Sequence, residues 1–224
     1  MEARTLDAHT ALARLQDGNR RFVNGTPESS AVMSAARRAE LIEGQAPFAV
    51  ILGCSDSRVP VELIFDQGLG DLFVIRVAGN VVASSQVGSV EFAAEAFGTR
   101  LVVVMGHTRC GAIRATLDEL QRPSASQSPG LRSIVDRVRP AVANLLDGDD
   151  GADPEALRCK AGRANVRISV DHLRHGSEVL EHLIEHEGLM VVGAEYSLET
   201  GEVDFFDLPD AVTPLKRQRI PSRS

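Results

Sequence analysis

The chain has 224 residues with a net charge of −7, and 43% of them are hydrophobic, which suits a globular protein of one large domain. This acidic balance argues against a nucleic-acid partner and against binding to a membrane surface, and no apolar stretch approaches the roughly 20 residues that span a bilayer. The three cysteines make a poor disulfide framework, which favours a reducing, cytoplasmic compartment.

Hydrophobic periodicity predicts strands that alternate with helices along the chain. The first half is predicted to form, in order, helices 5–23 and 33–43, strand 48–52, a helical turn at 61–65, strand 72–77, helix 85–97 and strand 101–105. The second half is predicted to form helix 111–120, a loop at 121–130, helix 131–146, an acidic loop at 147–153, helices 155–174 and 177–187, strand 189–194 and a hairpin turn at 198–203. This order predicts an α/β fold with a mostly parallel β-sheet flanked by helices and an antiparallel hairpin at its C-terminal edge.

The domain organisation follows from the absence of an internal repeat and of a linker long enough to divide the chain. Residues 1–211 are therefore predicted to form a single domain, and the locally basic tail at 212–224 is predicted to be disordered. In parallel sheets ligands gather beyond the carboxyl ends of the strands, so functional residues are expected there.

Two short motifs follow the first and third predicted strands. Residues 53–58 read Gly-Cys-Ser-Asp-Ser-Arg, and residues 106–111 read Gly-His-Thr-Arg-Cys-Gly. If the two strands lie parallel in one sheet, Cys54, His107 and Cys110 meet at the same edge. Thiolates and imidazole are the ligands that select Zn²⁺, and three protein ligands are the count of a catalytic rather than a structural zinc.

Asp56 and Arg58 are candidates for assisting the reaction at that metal. They lie two residues apart at a strand tip, so their side chains can face the same way. A guanidinium can bind a carboxylate through two hydrogen bonds, which would keep Asp56 ionised and ready to accept a hydrogen bond from a metal-bound hydroxide. The same carboxylate could instead swing onto the metal and displace the water, so Asp56 is both a catalytic candidate and an alternative metal ligand.

Other metal-ligating residue types in the chain carry weaker signals. Cys159 has no partner motif and is interpreted as a core residue. His182 and His186 have helical i, i+4 spacing but stand among glutamates, which is typical of a solvated helix face.

Residues 54–60, taken together with 106–111, closely resemble the β-class carbonic anhydrases. The likeness spans about residues 5 to 208 and includes the segments 65–80, 163–166 and 192–196. The resemblance implies a carbonate dehydratase, which is a zinc lyase that catalyses the reversible hydration of CO2 to bicarbonate and a proton by attack of zinc-bound hydroxide.

The resemblance also assigns the metal ligands by position. It implies one Zn²⁺ per subunit, held by Cys54, His107 and Cys110, with Asp56 and Arg58 as the catalytic pair.

The substrate pocket and the assembly are further implications of the resemblance. Gln45 and Phe73 fall where the family lines its substrate pocket, and in the family both come from the partner subunit. Gly111 falls where a backbone N–H contacts substrate. The active unit would then be a homodimer or a dimer of dimers (a homotetramer), with the helices of residues 1–45 acting as a dimer arm rather than as a core element.

Two other functions remain open at this point. CS2 and COS are linear, apolar and isoelectronic with CO2 in the valence shell, and related proteins on this scaffold hydrolyse them. A non-catalytic, zinc-stabilised scaffold would instead keep Asp56 permanently in the fourth position. Ile51 stands where some members carry a Trp of an inhibitory bicarbonate pocket, so we do not expect that regulation.

Overall fold

The computed structural model describes residues 6–28, 34–123, 128–146 and 153–208. Its helices are α1 (Ala8–Asn24), α2 (Ala35–Glu40), α3 (Val61–Ile64), α4 (Ser84–Ala96), α5 (Gly111–Gln121), α6 (Pro129–Leu146), α7 (Pro154–His175) and α8 (Glu178–His186), with a 3-10 turn at Ala78–Asn80. Its strands are β1 (Ala49–Gly53), β2 (Leu72–Arg76), β3 (Leu101–His107), β4 (Met190–Tyr196) and β5 (Val203–Phe206). Helices and strands follow one another in the predicted order.

The described strands form one sheet in the order β2-β1-β3-β4-β5. Strand β1 pairs in parallel with both β2 and β3, β3 pairs in parallel with β4, and β5 is antiparallel to β4. This topology confirms the predicted fold class. It also makes β1 and β3 neighbours at the centre of the sheet, with their carboxyl ends at one edge, as the metal prediction requires.

Helix α1 covers one face of this sheet. The Asp7 side chain caps its N-terminus by accepting a hydrogen bond from the Thr10 amide at 2.9 Å. Ala11 and Leu15 on its inner face are fully buried, in one apolar cluster with Ile51 of β1. Helix α1 is therefore part of the core of its own chain, and a contact of residues 1–45 with a second subunit stays a prediction.

The opposite face is covered by α4, α7 and α8, and α7 packs tightly against β3 and β4. Val166 of α7 lies over two strand glycines: a Cβ at Gly106 would be 2.8 Å from its Cγ2, and a Cβ at Gly193 would be 3.0 Å from its Cγ1. A larger side chain at either position would push α7 away. Small residues in β3 and β4 therefore set how closely α7 packs on the sheet, next to the predicted metal site.

None of the helices in the described ranges is long and apolar enough to cross a bilayer.

Some of the sequence predictions fall on residues outside the described ranges. The predicted tail at 212–224 lies outside the described residues, as do 124–127 within the loop at 121–130 and 147–152 within the acidic loop.

Candidate metal centre

Cys54, His107 and Cys110 come together at the carboxyl end of the two central strands. Cys54 follows β1, His107 is the last residue of β3, and Cys110 is the residue before the first turn of α5. One ligand atom from each lies within 4.8 Å of the other two, and all three residues are buried. Two sulfurs bound at about 2.3 Å to a tetrahedral zinc lie about 3.8 Å apart, and the observed Sγ–Sγ distance is 4.0 Å.

The two thiols differ in acidity because they are hydrogen-bonded to each other. The bond with Cys110 lowers the pKa of Cys54, and the amide of Gly79 acts in the same direction, although burial opposes this shift. The bond with Cys54, followed by burial, raises the pKa of Cys110. The pair therefore offers one thiolate directly, and a divalent cation would displace the second proton on binding.

The orientation of the His107 ring suits a metal ligand. Its Nδ1 atom lies 2.9 Å from the carbonyl oxygen of Thr108, so Nδ1 carries the hydrogen and donates it. In the neutral ring Nε2 is then the nitrogen without a hydrogen, and it is buried without a hydrogen-bond partner among the described residues. A buried acceptor left in this state is destabilising, and a cation bound between it and the two sulfurs would satisfy it.

Asp56 and Arg58 form the predicted pair beside these ligands. The Nε and Nη2 atoms of Arg58 donate to Oδ1 and Oδ2 of Asp56 at 2.9 and 2.7 Å, and the Arg58 amide donates to Oδ1 at 3.0 Å. These bonds, with the Arg58 side chain as the largest cause, hold the pKa of Asp56 well below its usual range. Oδ2 of Asp56 lies 3.9 Å from Nε2 of His107, so an ionised carboxylate borders the ligand cluster without belonging to it.

Arg76 is a site residue that sequence reasoning missed. It is the last residue of β2 and stands opposite Gly53 at the end of β1. Its Nε donates to the carbonyl oxygen of Cys54 at 3.0 Å, and its Nη2 donates to that of Asp56 at 2.5 Å. Arg76 thus fixes the backbone that carries one thiol and the carboxylate. Its position at a strand end beside the first motif is the signal that could have pointed to it.

Gly79 is a second residue that sequence reasoning missed. Its amide donates to Sγ of Cys54 at 3.4 Å, and its carbonyl oxygen accepts from Nδ2 of Asn165 at 2.8 Å. It has a φ of +70°, and a Cβ there would be 3.0 Å from Cβ of Ala112, so both conformation and space favour glycine. The 3-10 turn therefore presents a donor to the thiolate sulfur.

The three predicted substrate-pocket residues lie in different parts of the chain's own fold. Gly111 begins α5 directly after the ligand Cys110. Gln45 is exposed in the segment before β1. Phe73 pairs with Val50 on β1, four residues before Cys54, which corresponds to about 13 Å along the strands. Within one chain, then, Gly111 adjoins the ligand cluster and Phe73 does not.

The remaining candidate ligands stay apart from this cluster. Cys159 is half-buried on α7 and unpaired in any disulfide. His182 and His186 stack on the exposed face of α8 with ring centroids 4.6 Å apart. In the parts of the chain that the structure describes, the three-residue group formed by Cys54, His107 and Cys110 is the one whose geometry could hold a metal ion.

Comparison of the sequence with known proteins finds carbonic anhydrases. The family model described as carbonic anhydrase matches residues 49–203. The carbonic anhydrase of Mycolicibacterium smegmatis is 47% identical over 190 residues, which are 85% of this chain and 89% of that protein. Carbonic anhydrase 2 of Mycobacterium tuberculosis is 41% identical over 189 residues, which are 84% of this chain and 87% of that protein.

Comparison with solved structures finds the same architecture. A tetrameric β-carbonic anhydrase of Sordaria macrospora superposes with a TM-score of 0.70 at 22% identity, over 89% of this chain and 96% of that one, which establishes likeness of fold. The β-carbonic anhydrase CcaA superposes with a TM-score of 0.66 at 26% identity, over 91% and 94%. Because the family model spans both ligand motifs and the relatives extend over most of the chain, this chain belongs to the β-carbonic anhydrase family.

Proposed function

We propose that this protein is a zinc-dependent carbonic anhydrase that catalyses the reversible hydration of CO2 to bicarbonate and a proton. One observation carries the proposal: two buried sulfurs and a buried imidazole nitrogen lie within 4.8 Å of one another, beside the Asp56 carboxylate, in a chain of the β-carbonic anhydrase family.

Cys54, His107 and Cys110 are the residues that would hold the metal. The donor set is soft, which favours Zn²⁺ over Mg²⁺ or Ca²⁺, and the three residues leave one position of a tetrahedral site open. When bound there, Zn²⁺ supplies Lewis acidity that lowers the pKa of water and provides a nucleophile near neutral pH.

Asp56 is proposed to orient the reacting water. Its carboxylate is ionised and can accept hydrogen bonds near neutral pH, and Arg58 extends this range to lower pH by lowering the pKa of Asp56. An acceptor bordering the ligand cluster receives the O–H of the nucleophile and leaves an oxygen lone pair facing CO2. Arg58 in turn keeps Asp56 in place, since its guanidinium group donates hydrogen bonds to both carboxylate oxygens.

Gln45, Phe73 and Gly111 are proposed to line the CO2 pocket. Gly111 adjoins the ligand cluster in its own chain, whereas Phe73 lies on the edge strand β2 and is too far from Cys54 to serve the same site. We therefore propose a homodimer, or a dimer of dimers, in which Gln45 and Phe73 act in the partner's site. The prediction of a cytoplasmic location stays with this proposal and rests on the three free cysteines.

The two alternative functions receive less support. The family match and the named relatives favour CO2 over CS2 or COS as substrate. A scaffold with Asp56 in the fourth position is disfavoured because both oxygens of that carboxylate are engaged by Arg58.

Stopped-flow measurement of CO2 hydration from pH 7 to 9 tests the proposal. The zinc-loaded wild-type protein is expected to turn over, and Cys54→Ser and Asp56→Ala are expected to lose most activity. Cys159→Ser is the matched control, because Cys159 lies outside the ligand cluster, and it is expected to keep wild-type activity. A zinc-loaded wild-type protein without turnover at any pH in this range would refute the proposed function.

A further inference from the structure

The segment between His107 and Cys110 contains only Thr108 and Arg109, and one carboxylate holds both of them. The hydroxyl of Thr108 donates to Oε2 of Glu199 at 2.7 Å, and Nε of Arg109 lies 2.6 Å from Oε1 of the same side chain. Glu199 stands in the turn between β4 and β5, about 90 residues from the ligands in sequence.

Further hydrogen bonds hold Thr108 and Glu199 beside each other. The amide of Leu198 donates to Oγ1 of Thr108 at 3.0 Å, and the Thr108 amide donates to the carbonyl oxygen of Tyr196 at 2.9 Å. The Ser197 hydroxyl donates to Oε2 of Glu199 at 3.4 Å. The turn after β4 therefore supplies a backbone carbonyl, a backbone amide and a carboxylate to the segment that joins two candidate ligands.

Thr108 connects this turn to the imidazole. Its carbonyl oxygen accepts from Nδ1 of His107, and this bond decides that Nε2 is the nitrogen without a hydrogen. The direction of that carbonyl depends on the backbone of Thr108, which is fixed by its own amide and hydroxyl bonds. Glu199 thus acts on the presentation of Nε2 through the residue that selects the tautomer.

Arg109 connects the same turn to the Asp56–Arg58 pair. Its φ of +54° is unusual for a residue with a side chain, and the ion pair with Glu199 helps to retain it. In this conformation its carbonyl oxygen accepts from Nη2 of Arg58 at 3.5 Å. The segment that spaces the ligands therefore also contacts the residue that keeps Asp56 ionised.

We propose that Glu199 is a positioning residue that fixes both the metal-facing nitrogen of His107 and the arginine of the catalytic pair by holding Thr108 and Arg109. The inference rests on the proposed function for its catalytic consequence, whereas its effect on metal binding stands without it.

The test compares Glu199→Ala and Glu199→Gln with Glu202→Ala. Glu202 is exposed on the same turn and contacts Thr200 rather than the ligand segment, so its variant controls for a generally weakened turn. Zinc release into a colorimetric chelator and the absorption spectrum of the Co²⁺-substituted protein report on the ligands, and stopped-flow hydration reports on turnover. Thermal unfolding shows that each variant is folded.

Glu199→Ala is expected to release zinc several-fold faster, to change the Co²⁺ spectrum, and to lower kcat/KM by a similar factor. This effect is smaller than the loss of about 10- to 100-fold typical when a direct partner of a metal ligand is removed, because Glu199 acts through Thr108. Glu199→Gln can still accept from Thr108 but cannot pair with the Arg109 cation, so an intermediate effect is expected. Glu202→Ala is expected to match the wild type.

A second pair of variants keeps the inference falsifiable if Glu199→Ala does not fold. Thr108→Val removes the hydroxyl at similar volume and is expected to reproduce the fast zinc release, whereas Thr108→Ser restores the hydroxyl and the slow release. Zinc release and Co²⁺ spectra within twofold of the wild type in Glu199→Ala and Thr108→Val, or an equal change in Glu202→Ala, would overturn the inference. Absence of CO2 turnover in the wild type would overturn the proposed function alone, since the metal readouts do not depend on it.

Discussion

The carbonyl oxygen of Phe65 occupies the place where a side chain at Gly18 would begin, since a Cβ added to Gly18 would lie 1.8 Å from that oxygen. Helix α1 therefore lies backbone to backbone against the end of α3, and this approach buries its apolar face. No side-chain movement can relieve such a clash, because the atom in the way belongs to the main chain.

Gly18→Ala is accordingly expected to lower the free energy of unfolding by about 3 kcal/mol, the upper part of the range for overpacked sites. Urea unfolding followed by circular dichroism measures it. Gly88→Ala is the control: it lies in α4 with no atom within 4 Å of the new Cβ, and it is expected to gain about 0.5–1 kcal/mol from helix propensity. Equal stability of Gly18→Ala and the wild type would contradict the docking of α1.

Gly106 and Val166 form a second tight contact, with a different expected outcome. Gly106→Ala would place its Cβ 2.8 Å from Cγ2 of Val166 and is expected to destabilise the protein by about 1–3 kcal/mol. Because a side chain rather than backbone is in the way, Val166→Ala is expected to relieve the clash. A double-mutant cycle by urea unfolding then gives a favourable coupling energy, and strict additivity of the two changes would show that these residues do not touch.

Glu195 gives a pH dependence of stability whose sign follows from its burial. Burial, opposed by Arg163, raises the pKa of this carboxyl group in the folded protein. The folded state therefore binds the proton more tightly than the unfolded state, and the contribution of Glu195 to stability decreases as pH rises through the raised pKa. Asp204 shares Arg163 at 2.8 Å, so the ion pair does not fully compensate.

Glu195→Gln is thus expected to be more favourable relative to the wild type at pH 7 than at pH 4.5. Unfolding in urea at both pH values measures the difference, and Glu202→Gln, exposed on the turn that follows β4, serves as the control for an added amide. A Glu195→Gln variant that becomes less stable relative to the wild type as pH rises from 4.5 to 7 would show that the sign is wrong.

Removal of the metal is expected to lower thermal stability. A ligand present at 100 times its dissociation constant stabilises a native state that alone binds it by about 2.7 kcal/mol, and zinc would join the ends of β1 and β3. Chelation is therefore expected to lower the unfolding temperature of the wild type and of Cys159→Ser, and to leave Cys54→Ser almost unchanged. A similar fall in Cys54→Ser would place the stabilising metal elsewhere.

The assignment of Phe73 to the partner's site has a direct test by complementation. Cys54→Ser lacks a ligand but retains Phe73, whereas Phe73→Ala retains the ligands, and each alone is expected to be nearly inactive. Unfolding and refolding the two together as equal mixtures is expected to restore about a quarter of the sites if they assemble at random as dimers. Activity that stays at the sum of the two variants would place Phe73 in its own chain's site.

Much of the metal centre could be predicted because its signals are local in sequence. The apolar runs before Cys54 and His107 predicted strands, and parallel neighbours bring such strand ends together. Strand β3 extends two residues beyond the predicted end at 105, because His107 pairs with Tyr196 of β4, a partner that local sequence does not contain.

The contacts that fix the ligands could not be predicted in the same way. Arg76 reaches the carbonyl oxygen of Cys54 only because the β1–β2 register sets it opposite Gly53, and the register depends on the whole sheet. The close approach of α1 at Gly18 depends on the fact that glycine has no side chain. A single glycine within a helical pattern does not indicate which part of the chain will pack against it.

The proposed ligands lie at the ends of the central strands β1 and β3, whereas no strand in the described part of the chain pairs with the outer side of β2. A single folded chain therefore brings the three proposed metal ligands together by itself. If Phe73 acts in the partner's site, as proposed, catalysis would begin only when two chains meet. At low concentration the protein would then bind zinc as an inactive monomer, and dimerisation at higher concentration would produce activity.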